Sequence, residues 1–497
     1  MKFTLRNREI TVFLKDLVLS KIFHIFILSF ILRLLYVNVN APFVFHPDEP
    51  TIVNSTINLR YNFNPKHFDW PTLTYYLNYP IYLTIEKVDA FFINYIGKDF
   101  DLVNFYNYYL YTRIITALIG SLAVLFLYFS LINFRISKNV SLVSSCIFSL
   151  MPFFLFRSAQ ALPDVPMLFF GILMIYFVSK HYVSDKYIYL LASSFCLGLA
   201  VSSKYTGYLF GITLLGYLFF HLKFSLNLIK SLVFCGILIV VGFLVGTPYA
   251  LLDSKTFLIS DSPKGALWQF QNVGKSDLSE QLMFFMNNLL FEELSNFGFI
   301  PQVCVILFVI FLVISKLRSD KFELGLKISL PLLYIFILQY FYIFWTVSGI
   351  SSGSQRAQHF IPVIPFIIIL NSLFFERIGF SRVKIIFIIF LLINTSVYLS
   401  RSEPEPIVKF YYKTVYNNLS VDNKDTVYYN QNIMASVLQK IGYEVRKFDE
   451  KKGLPVGRNK FFSNSNLCYG VLDCNLKTVY YDKNVFSEKE LYIYLSK

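Results

Sequence analysis

The chain has 497 residues, of which 55% are hydrophobic, 19% aromatic and only 15% charged, and its mean hydropathy is +0.54. So little charge excludes an ordinary soluble domain and identifies an integral membrane protein. The net charge of +14 does not indicate nucleic acid, because the cations are scattered between apolar runs without basic arms, and membrane topology accounts for them.

In chain order, the polar opening MKFTLRNREITVFLKD runs into an apolar stretch with no small-residue cleavage site, which predicts a retained anchor. Taking about twenty residues to cross a bilayer, about eleven spans are expected. They start near Ile22, Tyr108, Val140, Leu162, Tyr187, Tyr205, Leu232, Phe299, Ile328, Phe360 and Ile385. Lys and Arg cluster in alternate connections, from Lys2, Arg6, Arg8 and Lys15 through to Arg377, Arg382 and Lys384. By the positive-inside rule this set is cytoplasmic, so the N-terminus lies inside and the C-terminus outside. Residues 1–400 are thus expected to form an all-α transmembrane domain with two large outer loops, 38–107 and 248–296.

The first outer loop contains FVFHPDEPTIV. Pro50 suits a first helical turn, and the proline after it pushes Glu49 out of the helical region, so a helix is expected from Pro50 with Asp48 and Glu49 near its positive end. DWPTLTYYLNYPIYL and KGALWQFQNV read as interfacial helices. After Ser400 the composition turns polar, and residues 401–497 are expected to form a small outward-facing α/β module. There DTVYYN, YEVRKFD and TVYYD read as strands, QNIMASVLQKIG and SEKELYIYLS as helices. Cys146, Cys196, Cys235 and Cys304 lie in apolar runs as small core residues. Cys468 and Cys474 lie close enough in the tail for a disulfide in an oxidising compartment, but spacing alone leaves the pairing open. No repeat, phosphate loop or metal-spaced His/Cys set is present.

The ionisable residues at or near the outer span ends are Arg33, Asp48, Glu49, Arg113, Arg157, Asp164, Lys204, Asp253, Arg356 and His359. A charge in hydrocarbon costs about 2.5 to 3.5 kcal/mol, so such residues need a partner or a chemical role. Cations at Arg113, Arg157, Lys204 and Arg356 suit a lipid phosphate, with Arg able to grip two oxygens. A carboxylate beside them suits a base toward an acceptor hydroxyl, while stabilising the departing phosphate replaces a general acid. Each residue also has a plainer structural reading: the arginines as snorkelling side chains, Asp164 as a helix cap and His359 as a hydrogen-bonded interfacial residue. Lys204, in the short connection SSKYTG beside Tyr205, and the proline-enclosed pair Asp48 and Glu49 fit those readings least.

The order HPDE, YYLYTRIITALIGSLAVLFLY, FRSAQALPDVPMLFF, GLAVSSKYTGYLF, GTPYALLD and SQRAQHFIPVIPF, from Phe30 to about Phe366, resembles the GT-C glycosyltransferases. The resemblance is to the branch of protein O-mannosyltransferases and lipid A aminoarabinose transferases. It implies a polyprenyl-phosphate sugar donor, inverting transfer to a lipid, glycan or protein acceptor, and catalysis by a multi-pass membrane protein on the outer face of the bacterial plasma membrane or the lumenal face of the ER. By position it makes Asp48 the catalytic carboxylate with Glu49 beside it, and Arg113 a holder of the donor phosphate. It places Asp164, Lys204 and Arg356 at recurrent motif positions, and fixes no metal, a divalent cation being compatible. The loop 248–296 is too short for the MIR-type insertion of eukaryotic protein mannosyltransferases, which favours a bacterial enzyme. The alternative, a transporter or flippase of lipid-linked sugars, calls for polar groups near the midplane in two related halves, and the charges here gather at one face.

Overall fold

The computed structural model describes residues 21–402 except 39–45, 47, 101, 104, 223–225, 263, 273–275, 288, 290–298, 319–327 and 350–356, and beyond 402 it describes five strands. Each expected span start falls inside a helical segment or within two residues of one. The helices are α1 (Lys21–Tyr36), α2 (Glu49–Asn58), α3 (Leu73–Phe91), α4 (Phe105–Asn133), α5 (Lys138–Leu150), α6 (Pro152–Arg157), α7 (Asp164–Ser184) and α8 (Tyr187–Ser203). They continue with α9 (Gly211–Leu222), α10 (Leu226–Gly246), α11 (Tyr249–Leu252), α12 (Ser254–Phe257), α13 (Ala266–Asn272), α14 (Leu278–Asn287), α15 (Phe299–Arg318), α16 (Leu330–Ser348), α17 (Ile364–Ile378) and α18 (Phe380–Ser402). Among the described residues six helical segments are long and apolar enough to cross a membrane: 107–133, 164–184, 205–222, 226–246, 330–348 and 358–378. The protein is a multi-pass membrane protein.

In this helical domain α7 packs between α4 and α8, and α8 packs on α10. Two glycines set the approach of α8 to α10. A Cβ at Gly198 would lie 2.2 Å from the Ile239 carbonyl oxygen, and one at Gly242 2.3 Å from that of Phe195. Without a hydrophobic drive between helices in lipid, such close backbone contact is what binds them. Gly198→Ala should therefore destabilise the fold by about 1–3 kcal/mol, the range for overpacking, read as a lowered melting midpoint in detergent. The opposite face of α10 shows Val233, Ile237, Val240 and Val245 outward, as a lipid-facing surface requires. By contrast α17 is buried among α5, α15 and α16. Buried polar groups there are joined across helices: Thr213 donates to Gln339 Oε1 at 3.0 Å and Gln302 Nε2 donates to the Tyr340 hydroxyl at 2.7 Å.

The two aromatic stretches expected as helices in the outer loops form α3 and α13. The loops are stitched together: the Thr72 hydroxyl donates to the Gly246 carbonyl at 2.9 Å, and Asn64 Nδ2 donates to Asp253 Oδ2 at 2.7 Å. Asp253 also accepts from the Thr256 hydroxyl at 2.9 Å as the cap of α12, so its place is in loop architecture.

In the C-terminal region β1 (Thr426–Tyr429), β2 (Glu444–Lys447), β3 (Lys460–Ser463), β4 (Cys474–Tyr481) and β5 (Glu490–Ser496) form one sheet in the order β2-β1-β3-β5-β4. The first three in that order are parallel, and β5 runs antiparallel to both β3 and β4. SEKELYIYLS, expected as a helix, instead supplies β5. Its run of Leu491, Tyr492, Ile493, Tyr494 and Leu495 is rich in aromatic and branched side chains, which a pleated surface accommodates better than a helix does. The expected helix QNIMASVLQKIG and Cys468 lie outside the described residues.

Candidate active site

Asp48 caps the N-terminus of α2, yet its carboxylate makes no capping hydrogen bond. The helix starts at Glu49, one residue ahead of Pro50. A turn carries the chain into it, with the Glu49 N–H donating to the His46 carbonyl at 3.1 Å and the Thr51 N–H to the Asp48 carbonyl at 3.1 Å. The two neighbouring carboxylates diverge from this turn. Glu49 is completely buried, whereas the Asp48 side chain keeps 22% of its surface exposed.

Glu49 meets Arg113 of α4 in a two-pronged ion pair. Arg113 Nε donates to Oε1 at 2.8 Å and Nη2 to Oε2 at 2.7 Å, the Ala161 N–H donates to Oε1 at 2.8 Å, and Arg113 Nη1 donates to the Val37 carbonyl at 3.0 Å. Burial raises the Glu49 carboxyl pKa, but Arg113 and the Ala161 N–H outweigh it and hold the group below the usual carboxylate range. Arg113, which the resemblance sets at the donor phosphate, is here directed at Glu49 and Val37. A buried carboxylate has to be matched by such a fork. The pair fastens α2, the end of α1, α4 and the segment before α7 to one another.

A second pair joins α7 to the α8 connection: Lys204 Nζ donates to Asp164 Oδ1 at 2.6 Å, with the carboxylate almost fully buried and the ammonium largely so. Asp164 is the first residue of α7, with Pro163 at the cap position, and its carboxylate is turned to Lys204. Lys204 reaches it because the chain between α8 and the following 3₁₀ turn is extended there, with φ −153° and ψ 136°. Arg157, at the end of α6, donates from Nη1 to Gln160 Oε1 at 3.1 Å and lies 5.3 Å from the centroid of Phe153.

His46 links these parts. Its imidazole lies within electrostatic reach of Arg157, Asp48, Asp164 and Glu49, and the Asp164 carboxylate within reach of Lys204, Arg157 and His359. Burial and then the Arg157 charge push the His46 pKa below its ordinary value despite the three acids. The neutral ring accepts the Asp48 N–H at Nδ1, 3.2 Å away. That bond leaves the proton on Nε2, so the 3.7 Å approach of Nδ1 to the Asp48 carboxylate is no salt bridge. The structure therefore brings together Asp48, Glu49, Arg157, Asp164, Lys204 and His359, with His46 among them. Reading the charged residues alone passes over His46, and its adjacency to Asp48 is the signal that could have found it. Tyr205 serves elsewhere, its hydroxyl donating to the Phe68 carbonyl at 2.7 Å and its ring packing on Phe270, so that it braces one outer loop on the other. Arg356 lies outside the described residues.

The arrangement offers one partly exposed carboxylate next to a neutral imidazole with a donor proton, and that imidazole lies within electrostatic reach of an arginine and of a lysine-paired aspartate, all at one end of the bundle. Residues 23–254 match the family described as dolichyl-phosphate-mannose-protein mannosyltransferase. Among solved structures, ArnT from Cupriavidus metallidurans in the apo state shares the fold with a TM-score of 0.61, covering 94% of this chain and 97% of its own at 12% identity. The Saccharomyces cerevisiae protein O-mannosyltransferase Pmt1–Pmt2 complex bound to the sugar donor is 22% identical over 48% of this chain, with a TM-score of 0.37, and the match spans 34% of that chain. No curated protein matches the sequence. The chain is thus a membrane protein that shares the ArnT fold along nearly its whole length and is similar, over residues 23–254, to the protein mannosyltransferase family.

Proposed function

We propose that this chain is an inverting glycosyltransferase that moves one sugar from a polyprenyl-phosphate donor to an acceptor on the extracytoplasmic side of the membrane. The observation that carries the reading is the separation of roles between adjacent acids. Glu49 is locked to Arg113, while the Asp48 side chain makes no capping bond and is left partly exposed next to His46, whose ring lies within electrostatic reach of Arg157 and of Asp164, the partner of Lys204. In the reaction Asp48 takes the proton of an acceptor O–H as its oxygen attacks the anomeric carbon. The bond from that carbon to the phosphate oxygen breaks, its electron pair stays on the phosphate, and Arg157 and Lys204 stabilise the charge that develops. Glu49 and Arg113 position Asp48 from beneath, and His46 holds the Asp48 backbone through Nδ1. The cytoplasmic N-terminus, the plasma-membrane location and the bacterial origin belong to the same proposal and rest on the positive-inside pattern and the short second loop.

Two measurements test it. Purified protein incubated with a panel of polyprenyl-phosphate sugars and acceptors should release free polyprenyl phosphate from one of them, whereas unchanged movement of intact donor across vesicle leaflets would favour the flippase alternative. Arg157→Gln should raise the donor KM about 10- to 100-fold, the value of a charge-assisted hydrogen bond, with a smaller change in acceptor KM. An unchanged donor KM would return Arg157 to a structural part against Phe153 and Gln160.

A further inference from the structure

At the other end of the helix that Asp164 begins lies a second cluster, which the proposed transfer chemistry does not use. Helix α7 has 21 residues, so about 30 Å separates its ends. His181 in its last turn, Asp185 just beyond it and His221 near the end of α9 bring two imidazoles and a carboxylate together, with one ligand atom from each lying within 4.8 Å of the others. His221 Nε2 lies 3.0 Å from Asp185 Oδ1, and His181 Nε2 lies 3.8 Å from the same oxygen. The other nitrogen of His181, Nδ1, is paired with the Tyr217 hydroxyl at 2.7 Å. The Tyr217 ring also stacks on His221, with centroids 5.2 Å apart and planes 12° from parallel.

Three features favour a cation between these groups. First, with Nδ1 of His181 bonded to Tyr217, Nε2 is the nitrogen turned toward the carboxylate, and one tyrosine orients both imidazoles. Outer partners of this sort fix the ring orientation of metal-ligating histidines. Second, Asp185 closes α7 in the left-handed region at φ 55°, where its negative charge faces the negative end of the helix dipole. A cation there relieves the repulsion. Third, a tetrahedral ion with bonds of about 2.1 Å keeps its ligand atoms about 3.4 Å apart, and the two separations from imidazole nitrogen to carboxylate oxygen, 3.0 and 3.8 Å, bracket that value.

We infer that His181, Asp185 and His221 form a binding site for a borderline divalent cation of the Zn²⁺ or Co²⁺ type, which staples the ends of α7 and α9 on the face opposite the candidate active site. Two imidazole nitrogens and one oxygen select such ions over Mg²⁺ and Ca²⁺, which take oxygen ligands. Asp185 is largely exposed and His221 about one-third so, which leaves room for water as a further ligand and gives the ion an entry path.

The test uses the full chain in detergent, purified on a tag without histidine and stripped with EDTA. Zn²⁺ binding is followed by calorimetry and by metal content after desalting, and CoCl₂ titration is followed through visible absorption. The wild type should hold one Zn²⁺ more than His221→Ala or Asp185→Asn and show an intense tetrahedral Co²⁺ band that both variants lack. Tyr217→Phe should keep the site but weaken it about 10- to 100-fold, the usual effect of losing an outer partner. Zn²⁺ should raise the melting midpoint of the wild type and of neither ligand variant. Equal stoichiometry and affinity in wild type, His221→Ala and Asp185→Asn would overturn the assignment. Because both altered side chains lie at the surface, the variants are expected to fold, and the melting curves verify this.

Discussion

Asp48→Asn is expected to lower transfer about 10²- to 10⁴-fold, the usual worth of a positioned acid–base group, with little change in thermal stability or donor affinity. Its side chain makes no capping bond and is not buried, so the amide should cost the fold little. The acceptor hydroxyl would simply lose the group that removes its proton. The profile to measure is kcat against donor KM: a fall in kcat alone is the signature of an interaction made in the transition state. A variant with near-normal turnover would take the base away from Asp48.

Glu49 should behave in the opposite way. Glu49→Met leaves the Arg113 guanidinium buried without its counter-charge and the Ala161 N–H without its acceptor. Breaking one side of a buried pair costs about 3–5 kcal/mol, so the expected result is a large drop in melting midpoint, with activity lost through instability. Exchanging both residues, Glu49→Met with Arg113→Met, should recover a substantial part of the stability, and the double-mutant cycle isolates the pair. Additive losses would mean that the two side chains do not act as a unit. The pair also sets an acid limit. The folded-state pKa of Glu49 is depressed, so its stabilisation is present above the ordinary carboxylate pKa and through neutral pH. It disappears as pH falls through the lowered folded value. Thermal melts from neutral pH down through the carboxylate range should therefore fall less steeply in the double variant than in the wild type.

Much of this was legible in the sequence, for reasons that differ by residue. The helices that cross the membrane announce themselves because hydrocarbon forbids unpaired backbone and charge. Asp48, Glu49, Asp164 and Lys204 stood out for the same reason: a charge at the edge of an apolar run must be used. Partner choice was not legible. Whether Glu49 or Asp48 meets Arg113 depends on which side of a turn each side chain leaves, and that follows from the His46–Glu49 hydrogen bond rather than from spacing. Pro50 suggested where α2 begins but missed that this bond starts the helix one residue early. In the tail, SEKELYIYLS misled because a short apolar run with glutamates before it satisfies both periods, and only its pairing with β3 and β4 decides for the strand. The His181, Asp185 and His221 cluster escaped motif reading because its members come from two helices joined through a third.

A structure of the protein with a bound polyprenyl-phosphate sugar, determined by electron cryomicroscopy, is the most direct test of the proposed site. The phosphate oxygens should lie beside Arg157 and Lys204, the anomeric carbon should be turned toward the open side of Asp48, and Glu49 should still be clasped by Arg113. A donor phosphate seated away from those cations, with Asp48 facing water, would contradict the proposed chemistry.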